Sequence, residues 1–343
     1  MELDNRKKRI LQAIVNEYIE TIEPVSSNSL ITKYGLEWSS ATLRNEMAEL
    51  EKEGLLEKTH TSSGRVPSRK GYRFYVDELL DNETLDIDEI RYINSKLENR
   101  VLDMEEFTKI ATNTISELTH YTTVAIEPDA SKQTIEEIKF VLLGSRLLMA
   151  IILTDAGTIK ESIIKFEQDI TQEQVDTLSI IFNNQLKGKP LSEISVPIEQ
   201  YILDEMSYRV DVIKPIIDQI SKAINNDNVY MRGADRALDN PEFRSNNVTK
   251  KFLGLLDKQD LITDILNSDN DFNVYIGGED GKDDLQDFSI VTYKNKVNGK
   301  DLGTIGIIGP TRMDYSKVIA VLKYINQELN RLMLDDGKEE SSG

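Results

Sequence analysis

The chain has 343 residues, with 41 lysines and arginines against 60 aspartates and glutamates, so its formal net charge is −19. It has no cysteine and only two histidines, which excludes disulfides and thiolate metal sites and leaves little material for histidine chemistry. No apolar run approaches the ~20 residues of a membrane-spanning helix, and no apolar signal region opens the chain, so we expect a cytoplasmic protein of roughly two or three domains.

Three short helical patterns occupy the start of the chain, over residues 5 to 20, 26 to 35 and 39 to 53. Serines that can act as N-caps precede the second and third patterns. Gly35 and Gly54 suit the ends of these two helices. The spacing is typical of a helix-turn-helix.

The third pattern separates an apolar face from one suited to a DNA groove. At about 100° per residue, Leu43, Met47 and Leu50 share the apolar face. The opposite side carries small or hydrogen-bonding residues, namely Ala41, Thr42, Asn45 and Ala48, with Arg44 at its flank. This composition favours entry into a major groove.

A basic segment without a single acid follows, from Lys58 to Val76, and it contains Lys58, Arg65, Arg69, Lys70 and Arg73. Its glycines and proline predict a turn or hairpin rather than a helix. We expect a first wing strand over residues 55–58, a tip over 61–67 and a returning helix or strand over 72–76. A solvated surface hairpin is the alternative, but in so acidic a chain the segment favours a winged helix-turn-helix that binds nucleic acid.

Two long motifs resemble the heat-inducible transcription repressor HrcA family. The first comprises residues 40–47, 50–51, 54–55, 60–67 and 70–77, and the second comprises residues 302–315. His60 within the first motif has two interpretations, a phosphate contact or simple packing.

The middle of the chain predicts a connecting helix over residues 90–118, a strand over 121–127 and a three-stranded antiparallel meander over 138–166. Helical patterns follow over 172–186 and 198–224. The apolar positions of this region include Leu142, Leu148, Ile152, Ile164 and Ile181. We expect part of this apolar set to form a self-association surface, with an entirely internal core as the alternative.

The pattern of the last third of the chain predicts a sheet domain of α+β type. Together with the HrcA resemblance, it predicts an α+β multidomain fold class. Strands are predicted over 229–231, 273–276, 288–293 and 303–308, with helices over 248–266 and 314–333. The resemblance implies an N-terminal winged helix-turn-helix and a GAF-like α+β domain interrupted by an inserted α+β dimerisation domain. The corresponding boundaries are 1–82 for the DNA-binding domain, 83–132 for the linker helix and first GAF-like part, 133–224 for the insertion, 225–335 for the second GAF-like part, and 336–343 for a disordered tail.

Other candidate sites favour structural roles. Gly303, Gly306 and Gly309 lack the dinucleotide-binding spacing and favour close packing in a sheet. Arg312 has three open interpretations: a buried ion pair, an interface anchor or an anion clamp. The acidic residues 279–284 do not match a calcium loop. No nucleophile and base are arranged for catalysis, so we expect neither an enzyme nor a cofactor.

These observations predict a homodimeric DNA-binding repressor. Base edges would be approached by residues of the third helix: Ser39, Ser40, Thr42, Arg44 and Asn45. Phosphates or the minor groove would be contacted by Arg65, Arg69, Lys70 and Arg73. The resemblance implies an inverted-repeat operator of groE and dnaK type chaperone operons and modulation by the GroEL chaperonin. The alternative is a regulator whose GAF-like domain senses a small molecule.

Overall fold

A computed structural model describes residues 3–59, 64–80, 84–97, 104–128, 133–155, 159–193, 210–225, 229–268, 270–281, 283–297 and 299–339. The chain divides into two compact units. The first comprises Met1–Ala125, Tyr230–Asn295 and Thr304–Gly343, and the second comprises Ile126–Val229 and Lys296–Gly303. Within these ranges, no helix combines the length and the apolar character that crossing a membrane requires.

The helices, in chain order, are α1 (Asn5–Thr21), α2 (Ser27–Tyr34), α3 (Ser40–Lys52), α4 (Arg69–Phe74), α5 (Ile87–Leu97), α6 (Met104–Thr119), α7 (Gln172–Leu186), α8 (Val210–Asn225), α9 (Ala234–Leu238), α10 (Asn246–Leu256), α11 (Gln259–Leu266) and α12 (Tyr315–Glu339). The strands are β1 (Leu56–Lys58), β2 (Arg65–Pro67), β3 (Thr122–Ile126), β4 (Ile135–Gly144), β5 (Leu147–Thr154), β6 (Ile159–Lys165), β7 (Val229–Arg232), β8 (Phe272–Ile276), β9 (Phe288–Val297) and β10 (Lys300–Pro310).

The N-terminal part of the first unit is a winged helix, which we call the winged-helix domain and which comprises α1 to α4 with β1 and β2. The three predicted helices are confirmed, and β1 pairs antiparallel with β2. Ile10, Ile14, Leu30, Leu43 and Leu50 are fully buried and form its core. The apolar faces of three short helices therefore meet in one small core, as the spacing of their sequence predicts.

The turn or hairpin predicted over residues 58–76 was wrong for its last part, because Arg69–Phe74 is a helix, one of the two structures predicted for the returning segment 72–76. Ser68 caps this helix by accepting a hydrogen bond from the Gly71 N–H at 3.0 Å. A side chain at position 71 would place its Cβ 2.1 Å from the carbonyl oxygen of Leu55. Gly71 is therefore present because the helix packs directly on the chain that leads into the wing.

The remainder of the first unit, which we call the sheet domain, is built on a five-stranded sheet with strand order β7-β3-β10-β9-β8. Helices α5, α6 and α9 to α12 belong to it. The single helix predicted over 248–266 is two helices, because Lys258 has a non-helical ψ of 67°. This break lets both apolar faces, with Phe252 on α10 and Ile262 on α11, reach the interior.

Two further predictions need correction or lie outside the described residues. The connecting helix predicted over 90–118 consists of α5 and α6, and residues 98–103 between them are outside the described ranges. The tail predicted from residue 336 begins inside α12, which continues to Glu339 because a single Gly337 costs a helix only ~1 kcal/mol. Residues 340–343 are outside the described ranges.

The second unit contains the predicted three-stranded antiparallel meander, with order β4-β5-β6. One face of this sheet is buried together with residues of α7 and α8, including Phe182 and Ile216. Leu148, Ile152, Ile164 and Ile181 belong to this core and Leu142 packs against it. These five residues therefore lie on the covered face, and self-association through other apolar residues of this region stays a prediction.

Candidate nucleic-acid interface

Helix α3 begins with a hydroxyl network that fixes its position relative to α2. The Ser39 side chain caps α3 by accepting a hydrogen bond from the Thr42 N–H at 3.1 Å, and its hydroxyl lies 2.8 Å from the Thr42 hydroxyl. Ser40 contacts the hydroxyl of Ser27 at 2.9 Å. Arg44 donates from Nε to the same Ser27 hydroxyl at 3.3 Å. Two predicted site residues, Ser40 and Arg44, thus join α3 to α2, while Ser39 and Thr42 brace the start of α3 itself.

The outer face of α3 is exposed. Ala41, Asn45, Ala48 and Lys52 follow one another at steps of four, three and four, so they form one stripe along the helix. Neither Asn45 nor Lys52 has a hydrogen-bond partner among the residues that the structure describes. The stripe therefore offers an amide group between two alanines and an ammonium group at its end, a surface that fits the floor of a major groove.

Lys52 is a candidate residue that the sequence analysis missed. Its position follows from the same helical spacing that singled out Asn45, since it lies seven residues further along α3. A helical-wheel projection extended to the last turn of α3 identifies Lys52 on the same face as Asn45.

The wing places Arg65 in its second strand rather than in its tip. Arg65 lies opposite Lys58 in the β1–β2 pair, and its backbone exchanges two hydrogen bonds of 2.9 Å with Val25. Its side chain donates from Nε to Glu51 at 2.7 Å. Arg65 thus ties the wing to α3. Residues 61–63 of the predicted tip, and His60 before them, are outside the described residues.

The remaining three predicted basic residues, Arg69, Lys70 and Arg73, lie on α4, which follows the wing in sequence. Lys70 donates to the carbonyl oxygen of Glu53 at 2.9 Å. Arg69 donates to the carbonyl oxygen of Gln286 at 3.0 Å, and Arg73 pairs with Glu279 at 2.6 Å. The structure therefore brings Arg69 and Arg73 to the sheet domain and does not bring them to the exposed face of α3. Their role as DNA contacts stays a prediction.

Burial lowers the pKa of Arg73, but the hydrogen bonds and the negative charge of Glu279 outweigh burial, so the pKa is raised. Arg73 is therefore a permanent cation. Its side chain is 30% exposed and that of Glu279 is 29% exposed. The pair is shielded well enough to hold a defined geometry.

Arg312 makes a second link between the winged-helix and sheet domains. Its Nε donates to Glu242 at 2.7 Å, and its Nη1 donates to the carbonyl oxygens of Tyr18 and Ile19 near the end of α1. Two of its three sequence interpretations, the ion pair and the interface anchor, therefore apply together. A cation at this point is favourable because carbonyl groups and the negative end of the helix dipole meet at the last turn of a helix.

Comparison with known proteins agrees with this architecture. The model of the HrcA protein C terminal domain matches residues 105–319. A heat-inducible transcription repressor HrcA of Ruminiclostridium cellulolyticum is 37% identical over 98% of this chain and 100% of its own length. The HrcA of Clostridium acetobutylicum is also 37% identical, over 96% of this chain and 97% of its own.

The chain belongs to the HrcA family. A crystal structure of a hypothetical protein shares the fold with a TM-score of 0.65 at 24% identity, covering 96% of this chain and 98% of that one. The family resemblance read from the two sequence motifs is thereby confirmed. The exposed α3 stripe and the hydroxyl network that braces the helix-turn-helix are features that a DNA-binding protein of this family requires.

Proposed function

We propose that this protein is a sequence-specific transcriptional repressor that binds DNA in the cytoplasm and is not an enzyme. The observation that carries the proposal is the exposed stripe of α3. The side chains of Asn45 and Lys52 have no hydrogen-bond partner there among the described residues, and the hydroxyl network holds the helix in place. In a chain with a net charge of −19, binding must be concentrated in such a patch. A repressor bound at an operator blocks access of RNA polymerase to the promoter.

The contacts divide into those that read sequence and those that position the protein. Asn45 suits bidentate hydrogen bonding to adenine, and Arg44 suits guanine if its side chain turns away from Ser27. Ser39, Ser40 and Thr42 lie at the N-terminal end of α3, where backbone and hydroxyl groups contact phosphate. Lys52, and Arg65 and Lys70 near the wing, would add positive charge toward the DNA backbone.

A homodimer would present two such helices to the two halves of an inverted repeat. The uncovered face of the β4-β5-β6 sheet supports this arrangement. Val141, Met149 and Ile163 form one cross-strand row on that face, and Ile163 is 54% exposed. Such an apolar surface favours burial against a second copy.

The resemblance to HrcA implies chaperone operons of groE and dnaK type as targets and the GroEL chaperonin as modulator. On this proposal, damaged proteins engage the chaperonin, the repressor loses its support and chaperone genes are transcribed. The heat-inducible repressor names of the curated relatives support this reading.

The ligand-sensing alternative has less support. A Cβ at Gly306 in the central strand would lie 2.7 Å from Leu266 and 3.2 Å from Val124, so this face of the sheet has no room for even a methyl group. Phe243, Phe252 and Phe288 cluster with ring centroids 4.6 to 6.1 Å apart. Within the described residues, no three acidic or histidine side chains gather as a metal site.

Fluorescence anisotropy tests the proposal directly. The full-length protein is titrated against an inverted-repeat chaperone-operator duplex and a scrambled duplex, across a salt series, with and without GroEL. Operator-selective binding that the chaperonin improves is the expected result. Equal, weak binding to both duplexes under every condition would contradict it.

A further inference from the structure

The basic face of α4 is paired with the sheet domain through a two-point ion pair. Arg73 donates from Nη2 to Glu279 Oε2 at 2.6 Å and from Nε to Glu279 Oε1 at 3.3 Å. The same Nη2 also donates to the carbonyl oxygen of Val274 in β8. A forked guanidinium on a carboxylate fixes orientation as well as distance.

The pair also closes the edge of the five-stranded sheet. Strand β8 is the last in the strand order. The Gly277 N–H donates to the Phe288 carbonyl oxygen across the β8–β9 pair. Because hydrogen-bonded positions alternate along an antiparallel pair, the backbone N–H and C=O groups of Val274 and Ile276 point to the free edge. Arg73 occupies the Val274 carbonyl, and Glu279 accepts from the Ile276 N–H at 3.3 Å. One ion pair thus satisfies two edge groups that would otherwise invite another strand.

Arg69 extends this contact by one helical turn. Besides its hydrogen bond to the Gln286 carbonyl, its side chain packs on the backbone at Gly277, where a Cβ would lie 2.9 Å from Arg69 Cδ and Nε. Gly277 has a φ of +58°, so glycine suits both the conformation and the approach. The two arginines therefore meet a surface shaped to receive them.

We propose that Arg73 and Arg69 are positioning residues that dock the winged-helix domain on the sheet domain, and that they do not contact phosphate. This inference rests on the proposed function, because its consequence is the presentation of α3 to DNA. Arg73 acts from the winged-helix side and Arg312 from the sheet side, so the domain is held at two points. In a dimer, a loosely held winged-helix domain would let the distance between the two recognition helices depart from the distance between the operator half-sites.

A charge-reversal cycle tests the proposal on the full-length protein. Arg73→Glu and Glu279→Arg are each expected to weaken operator binding about tenfold, the factor that corresponds to about 1.4 kcal/mol. The double variant restores the ion pair in reverse but not the two contacts with the edge strand, so it should bind more tightly than either single variant and less tightly than the parent. Lys258→Glu is the matched control, since Lys258 pairs with Asp284 on the same domain without touching α4 in the described residues, and it should bind as the parent does.

Two other outcomes would overturn the proposal. If Arg73 contacts phosphate, Arg73→Glu weakens binding, Glu279→Arg does not, and the double variant stays as weak as Arg73→Glu. If Glu279 withholds Arg73 from DNA, Glu279→Arg binds more tightly than the parent. The salt slope of Arg69→Ala adds an independent readout, because a docking residue leaves it unchanged whereas a phosphate contact lowers it by about one unit.

Thermal unfolding of the same four proteins separates this inference from the proposed function. Docking predicts that each single variant lowers the midpoint of unfolding and that the double variant recovers part of the loss, whether or not the protein binds DNA. Arg73→Lys and Glu279→Gln serve as milder variants if the reversals do not fold. If the two substitutions have coupled effects on the midpoint of unfolding but the protein does not select the operator, docking stands and the proposed repressor function is contradicted. If their effects on the midpoint are additive, the docking proposal is contradicted.

Discussion

Arg312, on the sheet domain, donates a hydrogen bond to the carbonyl oxygen of Ile19 in α1 while it pairs with Glu242 at 2.7 Å. The Arg312 side chain is only 8% exposed. One guanidinium thus links the end of α1 in the winged-helix domain to Glu242 in the sheet domain. It is a buried cation at one of the contacts between the two domains.

Arg312→Ala should therefore be strongly destabilising. Removing one partner of a buried pair leaves Glu242 and the Ile19 carbonyl without the donor that Arg312 supplies, and we expect a loss of about 3 kcal/mol in the free energy of unfolding. Urea unfolding measures it. Arg146→Ala breaks an exposed pair with Asp169 and should cost less than about 1 kcal/mol, so equal losses would contradict the prediction.

Arg44→Ala should weaken specific binding. Arg44 lies at the flank of the α3 stripe, and if it reads a base its loss costs ~1–3 kcal/mol on the operator and much less on random DNA. Anisotropy on both duplexes decides. Equal losses on the two duplexes would show that Arg44 touches only phosphate.

Lys52→Ala should flatten the salt dependence of operator binding. An ammonium at the end of the exposed stripe that meets one phosphate contributes about one unit to the slope of log K against log salt. Lys187→Ala, an exposed lysine at the end of α7, serves as the control and should leave the slope unchanged. An unchanged slope for Lys52→Ala removes it from the contact surface.

Ile163→Asp should dissociate the proposed dimer. A charge in the uncovered apolar row would have to be buried against the second copy, at a cost of several kcal/mol. Sedimentation velocity measures the mass. Ile87→Asp changes an isoleucine that is 68% exposed on α5 and should leave the mass as it is. A dimer that survives Ile163→Asp places the interface elsewhere.

Tyr92→Phe should destabilise the α5–α6 pairing in a pH-dependent way. The Tyr92 hydroxyl donates to Glu117 and is the largest cause that lowers the pKa of that carboxyl. A lowered pKa contributes stability above the unfolded pKa of ~4.3 and loses it as pH falls through the folded pKa. We expect a loss of about 1 kcal/mol at pH 7 that shrinks toward pH 3. A loss that does not vary with pH would assign Tyr92 to packing alone.

Much of the winged helix was predictable because its signals are local. Ser26, Ser39 and Gly35 cap α2 and α3 where the sequence placed them, and the spacing of Leu43, Met47 and Leu50 identified the buried face. Capping and amphipathic spacing depend on residues within one or two turns of each other. The HrcA motifs were equally readable, since they are continuous in the chain.

Local signals were ambiguous where both faces of an element are apolar. Strand β5 alternates between buried and half-buried positions, but Leu148 and Met149 are equally hydrophobic. Apolar runs and hairpin signals therefore identified the strands without telling which face α7 and α8 would cover. Only the packing of those helices showed that Leu148 is core and that Ile163 on β6 is outside.

The sequence by itself determined the helix-turn-helix, its caps, the family and the acid-free basic segment. Tertiary structure decided what that segment contacts, because the partner of Arg73 lies 206 positions away at Glu279 and no local pattern specifies a contact at that distance. Charge composition revealed that the arginines needed negative partners. It could not reveal that, for Arg73, a carboxylate and the carbonyl of an edge strand in the same chain fill that role.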